Sequence, residues 1–448
     1  MTRALTRALT GAPTAGIAAW LALGAYTLLL RLATPLYFAR LWWRGQSEPA
    51  YGQGWAERLG FSHATAAPGR LWLHAVSLGE TRAAAPLIDA LRAQHPGLRL
   101  LLTHGTATGR EAGAALLREG DAQAWLPYDT PGAVRRFLHQ QRPALGVLME
   151  TEIWPNLLHA ARSAGVPMVL ANARLSERSR AKGERLSALL HPAVASFSQV
   201  LAQTEADAER LRASGAAQVQ VLGNLKFDIT PAPELLARGR AWRERLMQPV
   251  VPHAMRPVLL AAVTREGEEA LLLQVWRRQP SPRPLLLVVP RHPQRFDEVA
   301  ALIQQAGFTL ARRSGWADTP AAEAALADVW LGDSLGEMAL YYAIADVALL
   351  GGSFAPLGGQ NLIEAAACDC PLVMGPHTFN FAQAAELALA AGAALREADM
   401  DAAVTRALAV GRSDEGALMS ARALAFAAQH RGAAVGMARQ LLLLVKGC

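Results

Sequence analysis

The chain reads as an α/β protein built from two doubly wound, parallel-sheet domains, and three observations carry that reading. Short apolar runs alternate with helical patterns from Leu71 to Leu222 and again from Val258 to Met374, as expected of parallel strands covered on both faces by helices. The alternation breaks at Ile229-Thr-Pro-Ala-Pro233 and around Pro249-Val-Val-Pro-His-Ala-Met-Arg-Pro257, with a charged helical piece between them. The length of 448 residues exceeds one ordinary core. Open parallel sheets bind ligands at the carboxyl ends of their strands, so the expected site is a crevice between two such domains.

In order along the chain, residues 1–45 read as a membrane anchor, 46–232 as a first Rossmann-like domain, 233–257 as a linker and 258–448 as a second Rossmann-like domain with C-terminal helices. Strands are expected near Leu71–Val76, Arg99–Leu102, Leu145–Leu148, Met168–Ala171, Val200–Ala202 and Val219–Leu222. Helical patterns such as Arg82–Gln94 and Arg110–Arg118 lie between them. In the second series strands are expected near Val258–Val263, Leu285–Val289, Val329–Leu331, Val347–Leu350 and Leu372–Met374. Asp414–Lys446 is helical, rich in Ala and Leu, and carries no catalytic signature.

The stretch from Thr14 to Phe38 holds a single internal charge, Arg31. Ile17–Leu30 alone is short for a bilayer, but continuing to Phe38 reaches the ~20 residues a span requires, with Arg31 free to snorkel or to mark a shallow insertion. A cleaved signal peptide is the rival. No small-residue cleavage site follows, and Tyr37, Phe38, Trp42 and Trp43 with Arg40 and Arg44 form an aromatic and basic belt instead. Arg31, Arg40, Arg44 and Arg58 outweigh Arg3 and Arg7 across the segment, which places the body on the cytoplasmic side.

Composition narrows the partners. Lys and Arg exceed Asp and Glu by 44 − 37 = 7, which suits an anionic membrane surface or a phosphorylated substrate. Nucleic acid is not expected, because no basic run with interleaved aromatics and no zinc-finger spacing occurs. The three cysteines, Cys368, Cys370 and Cys448, form no disulfide framework, and Cys368-Asp-Cys370 lacks the second pair that a zinc site needs. Asp399-Met-Asp401 precedes a helix and reads as an N-cap, so no metal is expected.

The chemistry sits at strand ends. Leu71-Trp-Leu-His-Ala-Val-Ser-Leu-Gly-Glu80 places a carboxylate at a strand-to-helix turn, where Glu80 is either a general base or a first-turn carboxylate favoured by the helix dipole. Glu150 ends another apolar run and needs a cationic partner. Lys226, one of only three lysines in the chain, is the natural one, either as part of a catalytic set or as half of a structural salt bridge.

In the second domain, Gly351-Gly-Ser353 and Gly358-Gly-Gln-Asn-Leu-Ile-Glu364 lead from a strand into a helix and suit a phosphate, with Glu364 facing sugar or ribose hydroxyls. Neither a P-loop nor a G-x-G-x-x-G fingerprint is present. Arg291 in Pro290-Arg-His-Pro293 and the turn Gly332-Asp-Ser-Leu-Gly-Glu337 end two further strands, and together these ends point to a nucleotide site.

Taken in order, Ser77-Leu-Gly-Glu80, Leu126-Pro-Tyr-Asp129, Met149-Glu-Thr-Glu-Ile-Trp-Pro155, Ala171-Asn-Ala-Arg-Leu-Ser176, Leu225-Lys-Phe-Asp228, Pro290-Arg-His-Pro293 and Gly375-Pro-His-Thr-Phe-Asn-Phe381 resemble the 3-deoxy-D-manno-octulosonic acid (Kdo) transferase family. The resemblance implies a GT-B-like fold, an acceptor-binding first domain, a CMP-sugar-binding second domain, CMP-Kdo as donor and a lipid A precursor as acceptor at the cytoplasmic face of an inner membrane. It also implies inversion at the anomeric carbon, with no metal and no cofactor. Carried over by motif, Glu80 is the proton acceptor, while Glu150 and Lys226 support the transition state. Pro290 and Arg291, Leu335, Gly336 and Glu337, and Asn361, Leu362, Ile363 and Glu364 bind the donor. The sequence departs from the family pattern at Arg265 and Gln360, where a His is familiar, and at Leu362, where some members carry Pro.

Overall fold

A computed structural model describes residues 16–61, 68–247, 256–411 and 413–446. Met1–Ala15 with Arg3, Arg7 and Thr14, the middle of the second proline-rich break, and Cys448 lie outside the described residues.

The first unit, residues through Asp228 together with those from Arg431 onward, is built on a seven-stranded parallel sheet. Its strands are β1 Leu71–His74, β2 Leu100–His104, β3 Ala122–Trp125, β4 Leu145–Met149, β5 Met168–Ala173, β6 Gln199–Ala202 and β7 Val219–Val221. They lie in the order β3-β2-β1-β4-β5-β6-β7. The direction of winding therefore reverses between β1 and β4, the point at which doubly wound sheets bind ligands. The second unit, Ile229–His430, carries β8 Val258–Thr264, β9 Leu285–Pro290, β10 Leu310–Arg312, β11 Val329–Leu331, β12 Val347–Leu350, β13 Leu372–Met374 and β14 Ala394–Arg396. Its parallel sheet has the order β10-β11-β9-β8-β12-β13-β14, with the reversal between β8 and β12.

Central strands such as β1, β4 and β9 are buried along their whole length, because helices cover both faces. That double burial is why they read as unbroken apolar runs. The strands absent from the sequence reading, β3, β10 and β14, are sheet edges of three or four residues, partly exposed and interrupted by Gln or Arg.

Two domain assignments change. Pro233–Met247 is no linker, because Trp242 is buried against Trp316, Arg243 forms a two-pronged pair with Asp346 at 2.7 and 2.8 Å, and Arg238 pairs with Glu337. The helix is thereby part of the second unit. The C-terminal stretch is divided at His430. Asp414–Gln429 stays with the second unit, whereas the Ala433–Lys446 helix returns to the first and buries Met437, Ala438 and Leu441 beside Leu87 and Leu91 of the Leu78–Gln94 helix.

Ile17–Ser47 is one 31-residue helix, long and apolar enough to cross a membrane by length and composition. It lies along the first unit. The Tyr26 hydroxyl donates to Asp129 (2.9 Å), the Thr27 hydroxyl to Asn156 (3.0 Å), and the Tyr37 ring stacks on Tyr128. Those groups sit inside the apolar stretch and could not reach the body from within a bilayer. The outer face leaves Trp20, Leu21, Leu28, Leu29, Leu32 and Leu36 exposed. Arg58, counted above among the flanking cations, is instead buried, bonded to the Tyr37 hydroxyl and stacked over Trp125.

Candidate active site

At the switch point of the first sheet, Ser77 caps the helix that follows β1 and accepts from the Glu80 amide. Glu80 answers by accepting from the Val76 amide (2.8 Å) and the Ser77 hydroxyl (3.3 Å). Ser77 and Glu80 thus cap the helix start together, with the Glu80 carboxylate taking the amide of the residue before the N-cap, so Glu80 does occupy the first-turn position of the structural reading. It is also held partly buried in one orientation. Burial pushes its carboxyl above the ordinary value, and neighbouring Glu150 adds to the shift, against the pull of the Val76 amide and Lys226.

Glu150 follows β4 with a left-handed backbone (φ 55°), a conformation that costs a non-glycine residue of order 1–3 kcal/mol. Its almost buried carboxylate lies 3.0 Å from Arg174 Nε and 3.4 Å from Lys226 Nζ, so two cations flank it where the sequence suggested one. Arg174 stands at the end of β5, and its other face is open to solvent. Asn172, also left-handed (φ 51°) and fully buried, accepts from the Leu225 amide at 3.0 Å and so fixes the turn that presents Lys226. The same turn is tied at its far end, because Asp228 accepts from the Gly432 and Ala434 amides (2.5 and 2.6 Å) at the start of the C-terminal helix. A helix without a catalytic signature thus buttresses the lysine.

Glu152 and His74, which the sequence reading left without a role, complete the cluster. His74 is fully buried; its Nδ1 lies 3.0 Å from the Thr103 carbonyl oxygen, which can only accept. The Thr103 hydroxyl lies 2.9 Å from the same nitrogen, and Nε2 approaches Glu152 Oε2 at 4.0 Å. Burial holds the imidazole down to about 3, so this approach is not an ion pair. Glu152 accepts from Trp154 Nε1 at 2.8 Å, and burial with the charge of Glu80 pushes its carboxyl up to about 7. The signal for Glu152 was its place two residues after Glu150 in the same turn; nothing local marked His74 as its neighbour.

Glu152 has a measurable consequence. Its proton is held more tightly in the folded chain than in the unfolded one, so its contribution is present below about pH 4.5 and is lost as pH rises through about 7. Glu152→Gln is expected to flatten that part of the profile. Thermal melting of both proteins at about pH 5 and about pH 8 checks this, and equal slopes would refute it.

In the second unit, Glu268 follows β8 and accepts from the amides of Arg265, Gly352 and Phe354 at 2.9, 2.7 and 3.1 Å. It thereby fastens the glycine loop after β12 to the switch point of this sheet. Gly351 is required there, since a Cβ would stand 2.2 Å from the Val263 carbonyl oxygen. Asn361 caps the Leu362–Ala367 helix by accepting from the Ile363 amide. Leu362 and Ile363 point into the core, so their side chains are not ligand contacts. Arg291 is exposed at the end of β9, following Pro290, and its amide donates to the Thr264 carbonyl. Glu337 is gripped by Arg313 at 2.9 and 3.0 Å and by Arg238, and it accepts from Ser334, which leaves its carboxylate committed to the scaffold. Leu335 is exposed and Gly336 takes a left-handed turn (φ 80°) beside it. Asp399 caps the Met400–Val410 helix, as its sequence context suggested, and Cys368 and Cys370 are buried thiols.

Two seven-stranded parallel Rossmann-type units, one with a carboxylate-and-cation cluster at its switch point and the other with a glycine loop at the equivalent place, define a GT-B-like architecture. Residues 53–229 match the family model described as 3-deoxy-D-manno-octulosonic-acid transferase (kdotransferase). The chain is 48% identical to the 3-deoxy-D-manno-octulosonic acid transferase of Bordetella pertussis over 92% of its own length and 96% of that protein. It is 36% identical to the Haemophilus influenzae enzyme of the same name, over 80% and 82%. The chain belongs to the Kdo transferase family. A glycosyltransferase from Rickettsia africae shares the fold, with TM-score 0.54 and 13% identity over 85% of this chain and 98% of that one. An Anabaena protein solved with UDP-glucose does so too, with TM-score 0.54 and 14% identity over 85% and 100%.

Proposed function

We propose that this protein transfers Kdo from CMP-Kdo to a lipid A precursor with inversion at the anomeric carbon, and that Glu80 is the general base. The observation that carries the reading is the Glu80, Glu150 and Lys226 cluster at the switch point of the first sheet, in a chain of this family. An inverting displacement needs one base on the acceptor hydroxyl. A carboxylate fixed by two hydrogen bonds and raised toward neutrality is suited to take that proton. Lys226 and Arg174 on either side of Glu150 supply fixed positive charge where negative charge develops, so no step is routed through a metal.

The donor is assigned to Pro290 and Arg291, to the turn Leu335-Gly-Glu337 and to the helix start Asn361–Glu364, with Glu337, Leu362 and Ile363 contributing backbone only. The apolar outer face of the N-terminal helix, with exposed Arg31 and Arg40, would lie in one leaflet of an inner membrane and keep the body on the cytoplasmic side. Incubation with CMP-Kdo and a lipid A precursor should yield a product heavier by one or more Kdo residues together with free CMP. Release of UDP from a UDP-sugar instead would favour a different donor, and binding of anionic lipid without turnover would make the protein a non-catalytic tether.

Arg291→Ala is expected to weaken CMP binding about tenfold or more, because an always-charged, forked guanidinium is lost from the donor's anionic groups. Acceptor affinity should hardly change. Calorimetry with CMP alone reads the effect, and unchanged affinity would move the donor site elsewhere.

A further inference from the structure

Away from the catalytic cluster, a groove of about 320 Å³ lies between the N-terminal helix, the Pro155–Ser163 helix and the Ser187–Ala195 helix. Trp20, Leu23, Leu189 and Pro192 form its apolar walls, and His159 and Arg162 stand exposed among its lining residues. We propose that this groove seats an acyl chain of a phosphorylated glycolipid acceptor, with Arg162 and His159 beside the acceptor's anionic groups. The proposal rests on the acceptor assigned above and adds where its lipid part binds.

Four features support it. The volume falls at the lower end of the range for sites that hold small molecules, about 300–1,000 Å³. Polar bonds fix the walls in place. Asp129 accepts from Tyr26 on the N-terminal helix and from the Asn156 and Leu157 amides at the start of the Pro155–Ser163 helix, so one buried carboxylate ties two walls together. The charge is complementary to a phosphate, because the lining includes Arg162 and His159 and no Asp or Glu.

Position supplies the fourth. Pro155, part of the lining, is only five residues beyond Glu150, so the groove opens within about 18 Å of the catalytic turn even if the chain between were fully extended. Arg162 lies seven residues further, about 10 Å along the helix. On the other side, Trp20 belongs both to the groove and to the exposed apolar face with Ile17 and Leu21. A chain leaving a bilayer along that face enters the groove without crossing water.

Ala188 is exposed at the groove, so Ala188→Trp would fill it from the open side without overpacking the core, and Ala19→Trp would fill it from the opposite wall. The KM for a tetraacylated, bisphosphorylated glucosamine disaccharide in detergent micelles should rise about tenfold in each variant, roughly the loss of two buried methylenes. The KM for the deacylated disaccharide bisphosphate and the KM for CMP-Kdo should stay at parental values. Calorimetric binding of the two disaccharides without donor should show the same contrast. An equal rise for both disaccharides, no rise for the acylated one, or a loss confined to binding of plain phospholipid vesicles would overturn the proposal. If the parent protein transfers no Kdo to either compound, the assigned function fails, while the binding contrast still decides the groove.

Discussion

Glu80→Gln is expected to leave the fold and donor binding intact while lowering turnover by about two to four orders of magnitude, the size of a lost general base. The substitution separates the two roles of this side chain. Glutamine keeps an oxygen that can accept from the Val76 amide, so this cap and the start of the helix after β1 survive. What it loses is the ability to take a proton. Turnover measured at saturating donor and acceptor, beside a thermal melt, tells the roles apart. Near-normal turnover in a well-folded variant would reduce Glu80 to a helix cap, and a large fall in melting temperature with proportionate loss of activity would point the same way.

Lys226 carries the second large effect, and here charge alone should not suffice. Lys226→Arg keeps the positive charge but replaces a compact ammonium 3.4 Å from Glu150 by a planar fork of different reach. Misplacement by about 1 Å can cost a hundredfold, so a loss of about that size is expected. Lys226→Met should do at least as much harm to turnover. Its effect on stability is a different matter. Stripping a buried carboxylate of its sole partner costs about 3–5 kcal/mol, but Arg174 remains 3.0 Å from Glu150, so the loss should fall well short of that range. Two cations where the sequence suggested one thus keep Glu150 paired after Lys226 is lost. Turnover and denaturant melts of both variants decide the matter: full activity in Lys226→Arg would make Lys226 half of a structural ion pair and remove it from the catalytic set.

Much of this was legible in the residues because it depends on neighbours in the chain. Buried central strands must be apolar along their length, so β1, β4, β8, β9 and β12 could be read directly, and the residues that follow them were by that fact at the ligand-binding ends. Glu80, Glu150 and Arg291 were placed after β1, β4 and β9 in this way. Asp399 was read as a cap because capping is a matter of three or four consecutive residues.

What the residues alone could not decide is everything set by contacts between distant segments. Edge strands β3, β10 and β14 have water on one side and no need of an apolar run. The Pro233–Met247 helix looked like a charged linker because its arginines find Glu337 and Asp346 only after folding, about a hundred residues away in the chain. The C-terminal helix had no local mark of belonging to the first sheet, and Asp228, some two hundred residues earlier, is what caps it. Glu152 is pushed toward neutrality, and Glu150 is held between two cations, because β1, β4, β5 and the Lys226 turn converge on one end of the sheet. Local sequence determines which segments are strands and which residues sit at their ends; desolvation and charge pairing depend on what the rest of the chain brings alongside, and only the tertiary structure decides that.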